Sequence, residues 1–145
     1  LVNEAIASAK ASGPSHEITL KTNSDEVFVL GDSMRIHQAV SNLLANARTH
    51  TPFGTKIEVE VLQSESEVQI SVSDEGPGLS QEDQTRIFER FFRADPSRAR
   101  VSGEGSGLGL AIVDAIMKAH DGSVSVDSEI NHGAKFTLHF PLKGD

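Results

Sequence analysis

Apolar residues recur along this chain in two rhythms, one of about 3.6 residues and one of two, and the switches between them mark its elements. Ala5, Ile6 and Ala9, with Leu1 or Val2, follow the helical rhythm over 1–11, and the SGP at 12–14 stops it. Two short strands are expected near 17–22 and 26–30. Asp32 or Ser33 then opens a helix over 33–49 with the stripe Ile36, Val40, Leu43, Leu44 and Ala47, which Pro52 and Gly54 close. Strict alternation follows in Ile57, Val59, Val61 and in Val68, Ile70, Val72, joined by a polar SESE turn. It returns in Val124, Val126 and in Phe136, Leu138, Phe140. Leu108, Ile112, Ala115, Ile116 and Ala119 predict a third helix over 107–120.

Each of these strands is apolar on one face only, which indicates a sheet covered on one side, not the doubly covered parallel kind. The helices at 1–11, 33–49 and 107–120 supply the cover. The expected fold is therefore an α/β two-layer sandwich with a mixed, mostly antiparallel sheet. The 145 residues suit one domain, a size that buries roughly 70% of its unfolded surface.

Composition narrows the function. The absence of cysteine excludes a disulfide framework and thiolate metal sites, and a net charge of -8 argues against general nucleic-acid binding. No apolar run reaches the roughly 18 residues of a membrane span, and the N-terminus lacks the layout of a signal peptide. One segment departs from the acidic background. Five arginines (Arg86, Arg90, Arg93, Arg98, Arg100) fall between 86 and 100 with only Glu89 and Asp95 opposing them. That is either a solvated helix face with a polar loop or a site for a polyanion.

Directly after it comes GEGSGLGL (103–110), a glycine at every second position. Its spacing fits neither a dinucleotide fingerprint nor a P-loop. A linker is one reading. The other is an anion site, since the run leads into the N-terminus of the third helix, where free N–H groups and the helix dipole attract phosphate. The 94–105 segment before it, small, charged and glycine-bearing, reads as a lid.

Three further stretches carry candidate chemistry. The strand at 68–73 runs into DEGPGL, where Pro77-Gly78 suits a type II turn. Asp74 there is either a turn residue or an acceptor for an exocyclic amine, with Gly76 and Gly78 letting a flat base approach. Ser80 with Asp83 resembles a capping box. Asn42, Asn46 and His50 recur every four residues on one helix face. Two asparagines in a helix interior are unfavourable; they either bond neighbouring loops or offer neutral oxygens to a phosphate-held Mg²⁺. In RIFERFFR, Ile87, Phe88, Phe91 and Phe92 form a core cluster, and Arg90 and Arg93 could reach a phosphate. His16, in SHEIT, is followed by neither arginine nor proline and reads as the start of a strand, not a phosphoacceptor. The six histidines show no metal-ligand spacing.

In order, NLLANARTHTP, DEGPG, IFERFFR, GSGLGL and HGAKFTLHFPL resemble the N, G1, F, G2 and G3 boxes of the catalytic ATP-binding domain of sensor histidine kinases, within the GHKL group. The resemblance spans roughly 1–142. It implies ATP and Mg²⁺ as cofactors. Asp74 would bind the adenine amino group, Gly76, Gly78 and Leu79 would shape the base pocket, Asn46 would ligate Mg²⁺, and Asn42 and His50 would line the same face. Arg93 would meet phosphate. Gly105, Ser106, Gly107 and Gly109 would open the junction between a lid at about 94–106 and the helix, with Leu108 and Leu110 packed beneath. Two positions depart from the pattern: Thr49 stands where a lysine is common, and Ala134 where a threonine is.

The resemblance further implies transfer of the γ-phosphoryl group to a histidine on a separate dimerisation and phosphoacceptor domain of the same protein. A response regulator would act downstream. It also implies a cytoplasmic domain of a membrane-anchored homodimeric parent, with Asn42 and Asn46 as the catalytic pair. No H-E-x-x-[TN]-P motif lies in these residues, so this would be half of an enzyme, unable to label itself alone. The alternatives are an anti-sigma serine kinase, and a GHKL ATPase, in which a glutamate would stand at the position of Asn42.

Overall fold

The computed structural model describes residues 1–12, 16–23, 27, 29, 31–52, 54–89 and 109–142. The elements are α1 (Val2–Ser12), β1 (Glu17–Thr22), α2 (Ser33–Thr49), β2 (Lys56–Gln63), β3 (Glu67–Asp74), α3 (Gln81–Arg86), α4 (Gly109–Ala119), β4 (Ser123–Ser128) and β5 (Ala134–Pro141). Five strands form one sheet in the order β1-β2-β3-β5-β4. The β1–β2 pair, joined through α2, is parallel, and the other three pairs are antiparallel.

Register aligns the alternating apolar residues into rows on one face. Thr22, Val61, Ile70, Leu138 and Val124 form one row, and Leu20, Val59, Val72, Phe136 and Val126 the next. These rows meet the stripes of the helices in one core that includes Ile6, Val40, Leu43, Leu44, Val113 and Met117. The opposite face carries Glu58, Glu60, Gln69, Ser73, Lys135 and His139. Covering one side of the sheet is thus written in the two-residue alternation, as expected.

Capping places the helices. Asp32 starts α2, its carboxylate accepting from the N–H groups of Met34 (3.0 Å) and Arg35 (3.3 Å). Its own N–H donates to His120 Nε2 (3.0 Å), whose Nδ1 bonds the Ile116 carbonyl (2.8 Å). The C-terminus of α4 is thereby pinned to the N-terminus of α2. Ser80 caps α3 by accepting from the Asp83 N–H at 3.1 Å.

One expected strand is corrected. Val27 and Val29, the described residues of the 26–30 run, lie in no strand although both pack on the core. The third helix starts at Gly109 among the described residues, with 107 and 108 outside them.

Candidate functional site

A third row crosses the covered face: Ile18, Ile57, Asp74, Ala134 and Ser128. Asp74 has the same parity as Ile70 and Val72, so its carboxylate lies on the helix side, in a position the pattern reserves for apolar groups. Burial pushes its carboxyl above the ordinary value, opposed by the N–H groups of Gly76 and Ala134 and by the His16 imidazole. The Gly76 N–H donates to Asp74 Oδ1 at 2.9 Å. A half-buried carboxylate held this way is an acceptor, and no Lys or Arg among the described residues forms a salt bridge with it.

The turn after Asp74 is clamped by the β4–β5 hairpin. Gly78 has φ +76°, as the second central residue of a type II turn requires. A Cβ on Gly78 would lie 2.1 Å from the Glu129 carbonyl oxygen, and one on Gly133 (φ +81°) 1.9 Å from that of Asp74. The Asn131 N–H donates to the Pro77 carbonyl (2.7 Å). Ser128 Oγ accepts from the Leu79 N–H (2.8 Å) and donates to the Gly133 carbonyl (2.6 Å). Gln84 Nε2 donates to the carbonyls of Leu79 (3.1 Å) and Ser128 (2.9 Å). Close protein neighbours therefore demand glycine at 78, whatever else approaches it.

Along α2, Asn42, Asn46 and His50 share one face. Asn42 Nδ2 donates to the Gly109 carbonyl at 3.2 Å, which sets the first turn of α4 against this face. His50 caps the helix, its N–H donating to the Asn46 carbonyl at 3.1 Å. Beyond it, Thr51 packs under Gly76, its Cγ2 2.5 Å from where a Cβ there would sit. The face thus runs from the N-terminus of α4 at Asn42 to the Asp74 turn, about 12 Å at 1.5 Å per residue. Leu110 is buried and Leu79 packs partly on the core. Outside its chain neighbours and the backbone of its own helix, no described atom comes within 4 Å of a Cβ built on Gly109. Arg48, half-buried with its Nε unpartnered among described atoms, is about 200° round the helix from Asn46 and takes no part.

Arg93, Gly105, Ser106, Gly107, Leu108 and the lid expected at 94–106 lie outside the described residues, as do Arg90, Phe91 and Phe92. Of the aromatic cluster, Phe88 meets Phe136 edge to face with ring centroids 6.1 Å apart, and Ile87 is buried.

Among the described residues no group of three or more His, Asp or Glu side chains could cage a metal ion. The half-buried Asn46 amide, on the face that joins α4 to the Asp74 turn, fits a different arrangement: one neutral oxygen on a cation otherwise held by phosphates and water.

Sequence reasoning missed the Ser128–Gln84 clamp and the pairing of His16 with Thr51. The first had a faint signal in the NHG turn at 131–133, whose Asn131 and Gly133 both take positive φ. The second had none, since 35 residues separate its partners.

Residues 31–144 match the family described as histidine kinase-, DNA gyrase B- and HSP90-like ATPase. The chain is 42% identical over 144 residues to the probable sensor histidine kinase TcrY of Mycobacterium tuberculosis, covering 99% of this chain and 30% of that protein. Against the sensor-like histidine kinase SenX3 of the same species the identity is 39% over 142 residues, 97% of this chain and 34% of that one. The chain therefore spans about a third of the length of these relatives. Among solved structures, the mycobacterial sensor histidine kinase MprB superposes with a TM-score of 0.82 at 28% identity over 97% of this chain and 91% of that one. The nucleotide-free catalytic domain of histidine kinase ThkA gives 0.79 at 26%, over 97% and 93%. With its boxes in order, its sheet and helices superposing on these domains and its match running through nearly every described element after β1, this chain belongs to the histidine kinase-, DNA gyrase B- and HSP90-like ATPase family, as a catalytic domain of the sensor-histidine-kinase kind.

Proposed function

We propose that this domain binds Mg-ATP along the α2 face and donates the γ-phosphoryl group to a histidine on a separate dimerisation and phosphoacceptor domain, in two-component signalling. The observation that carries the reading is Asp74: a half-buried carboxylate on the apolar side of the sheet, between Ile57 and Ala134, fixed by the Gly76 N–H at 2.9 Å and placed to accept from an adenine amino group. The α2 face leads from there to the N-terminus of α4, which suits the phosphates of the same nucleotide. Asn46 would hold Mg²⁺, which when bound neutralises the phosphate oxygens. His50, Gly76, Gly78 and Leu79 would enclose the base, and Arg93, Gly105, Ser106, Gly107, Leu108, Gly109 and Leu110 the phosphate end. Catalysis would then consist of positioning and charge neutralisation, with the acceptor imidazole brought from outside.

Position 42 favours this over a water-activating ATPase. Asn42 has no basic group, and its amide N–H₂ is engaged with the Gly109 carbonyl. A homodimeric, membrane-anchored parent and a response-regulator partner belong to the same proposal. The direct test is calorimetric titration of the chain with ATP and GTP, each with and without Mg²⁺. Mg-dependent ATP binding at least about tenfold tighter than GTP, a 1.4 kcal/mol preference, is expected; equal affinities would refute the adenine assignment.

A further inference from the structure

We propose that His16 is a positioning residue of this nucleotide site: through Thr51 it fixes Gly76 and, with it, the Asp74 carboxylate that selects adenine. The inference rests on the adenine reading of Asp74 given above.

Four buried polar side chains are described: His16, Thr51, Ser71 and Thr137. Ser71 and Thr137 are cross-strand neighbours in the sheet. His16 and Thr51 are not in strands or helices; they precede β1 and follow α2, 6% and 5% exposed. Burying an imidazole and a hydroxyl is unfavourable unless each is bonded. Thr51 Oγ1 donates its single proton to the Ala47 carbonyl (2.7 Å). It must therefore accept from His16 Nε2, 2.8 Å away, which assigns a proton to that nitrogen.

Two bonds on one oxygen lock the Thr51 side chain in a single rotamer. The rotamer directs Cγ2 at Gly76, 2.5 Å from where a Cβ would be, and Asp74 Oδ1 is 3.0 Å from the same point. Gly76 is thus wedged between the Thr51 methyl and the carboxylate to which its N–H donates at 2.9 Å. Release of Thr51 lets Gly76 drop, and the carboxylate loses the donor that aims it. His16 precedes residue 31, where the family match begins, so this support comes from a part of the chain outside the matched segment.

Calorimetry with ATP and with inosine triphosphate, which has an oxygen in place of the 6-amino group, tests the proposal together with the Gly76 amide resonance. His16→Leu should weaken Mg-ATP binding about fivefold or more and lower the ATP preference over inosine triphosphate by the same factor, shifting the Gly76 amide proton. His16→Gln, which keeps an N–H donor, should restore most of that preference. A role in stability alone would lower Tm and leave the preference and the resonance in place, which would overturn the proposal. If His16→Leu does not fold, Thr51→Ser carries the test, because it keeps both hydrogen bonds and removes the methyl under Gly76. The same loss of preference is expected, and an unchanged preference would overturn the proposal. Asp74→Asn separates the two levels. Unchanged ATP affinity in that variant defeats the adenine reading, whereas a loss there with none in His16→Leu or Thr51→Ser defeats only the role of His16.

Discussion

Asp74 sits two and four residues after Val72 and Ile70 on the covered side of β3, where an apolar side chain would pack with no desolvation penalty. Burial holds its carboxyl above the ordinary range, so the folded protein binds that proton more tightly than the unfolded chain does. Stability from this group is then fully present below the ordinary carboxylate value and is lost as pH rises through the folded value. In its ionised form the side chain is a liability to the empty domain and, on the proposed reading, an asset to the nucleotide complex. Asp74→Asn is expected to leave the Tm of the nucleotide-free domain equal or higher near pH 7, while weakening Mg-ATP binding by about 2 kcal/mol or more. As the solution is acidified from neutral pH towards the raised folded value of Asp74, the wild-type affinity should fall more steeply than that of Asp74→Asn, since protonation removes an acceptor only from the former. Calorimetry across that range with parallel melts measures both, and parallel pH profiles would contradict the assignment. The aspartate was legible in the sequence because it ends an alternating strand and enters a Pro-Gly turn. The imidazole and hydroxyl that support its neighbour were not, because no local pattern ties position 16 to position 51.

Among the elements, legibility follows the range of the interaction. The bounds of α2 are those its apolar stripe and N-cap predict, Ser33–Thr49, because helix periodicity and capping are set within a few residues. At Val27 and Val29 the same local reasoning expects a strand that these described residues do not form, since alternation reports which side chains are covered and not whether they pair with a neighbour. The turn at 76–79 and the hairpin turn at 129–133 show what local reasoning cannot reach. Each looks like an ordinary glycine turn, and only the sheet order, which sets β5 beside β3, brings them together. Their union explains two glycines at once. Gly78→Ala and Gly133→Ala should each destabilise the domain by more than about 2 kcal/mol, because a strained φ adds to a backbone clash that no side-chain movement relieves. Gly109→Ala, with no described atom near its Cβ, should leave the melting midpoint of the empty domain nearly unchanged. Ser128→Ala removes an acceptor for the Leu79 N–H and a donor to Gly133, a loss of about 1–3 kcal/mol. Denaturant titration of the four variants checks the order, and a stable Gly133→Ala would contradict the clamp.

For the whole molecule the decisive feature is what the site holds and what it lacks. It has a half-buried carboxylate, a neutral amide oxygen on a helix face and a helix N-terminus, but position 42 carries an amide engaged with the Gly109 carbonyl at 3.2 Å. Attack by water needs an oriented nucleophile and gains about 10²- to 10⁴-fold from a general base, which Asn42 cannot supply. A phosphoryl group moving to an imidazole needs less from this domain, because the acceptor nitrogen is itself the nucleophile and the remaining work is alignment and charge neutralisation. The sequence holds no H-E-x-x-[TN]-P segment to serve as that acceptor. Incubated alone with γ-labelled ATP and Mg²⁺, the chain should therefore release phosphate only at the background rate and carry no label. Addition of the dimerisation and phosphoacceptor domain of its parent should produce an acid-labile, alkali-stable phosphohistidine on the added protein. Asn46→Ala should abolish that transfer, whereas Asn42→Glu, which places a carboxylate one helical turn before Asn46, should raise phosphate release above background. Brisk hydrolysis by the unaltered domain would reject the kinase reading in favour of an ATPase, and serine labelling of a protein partner would point instead to a serine kinase of the same family.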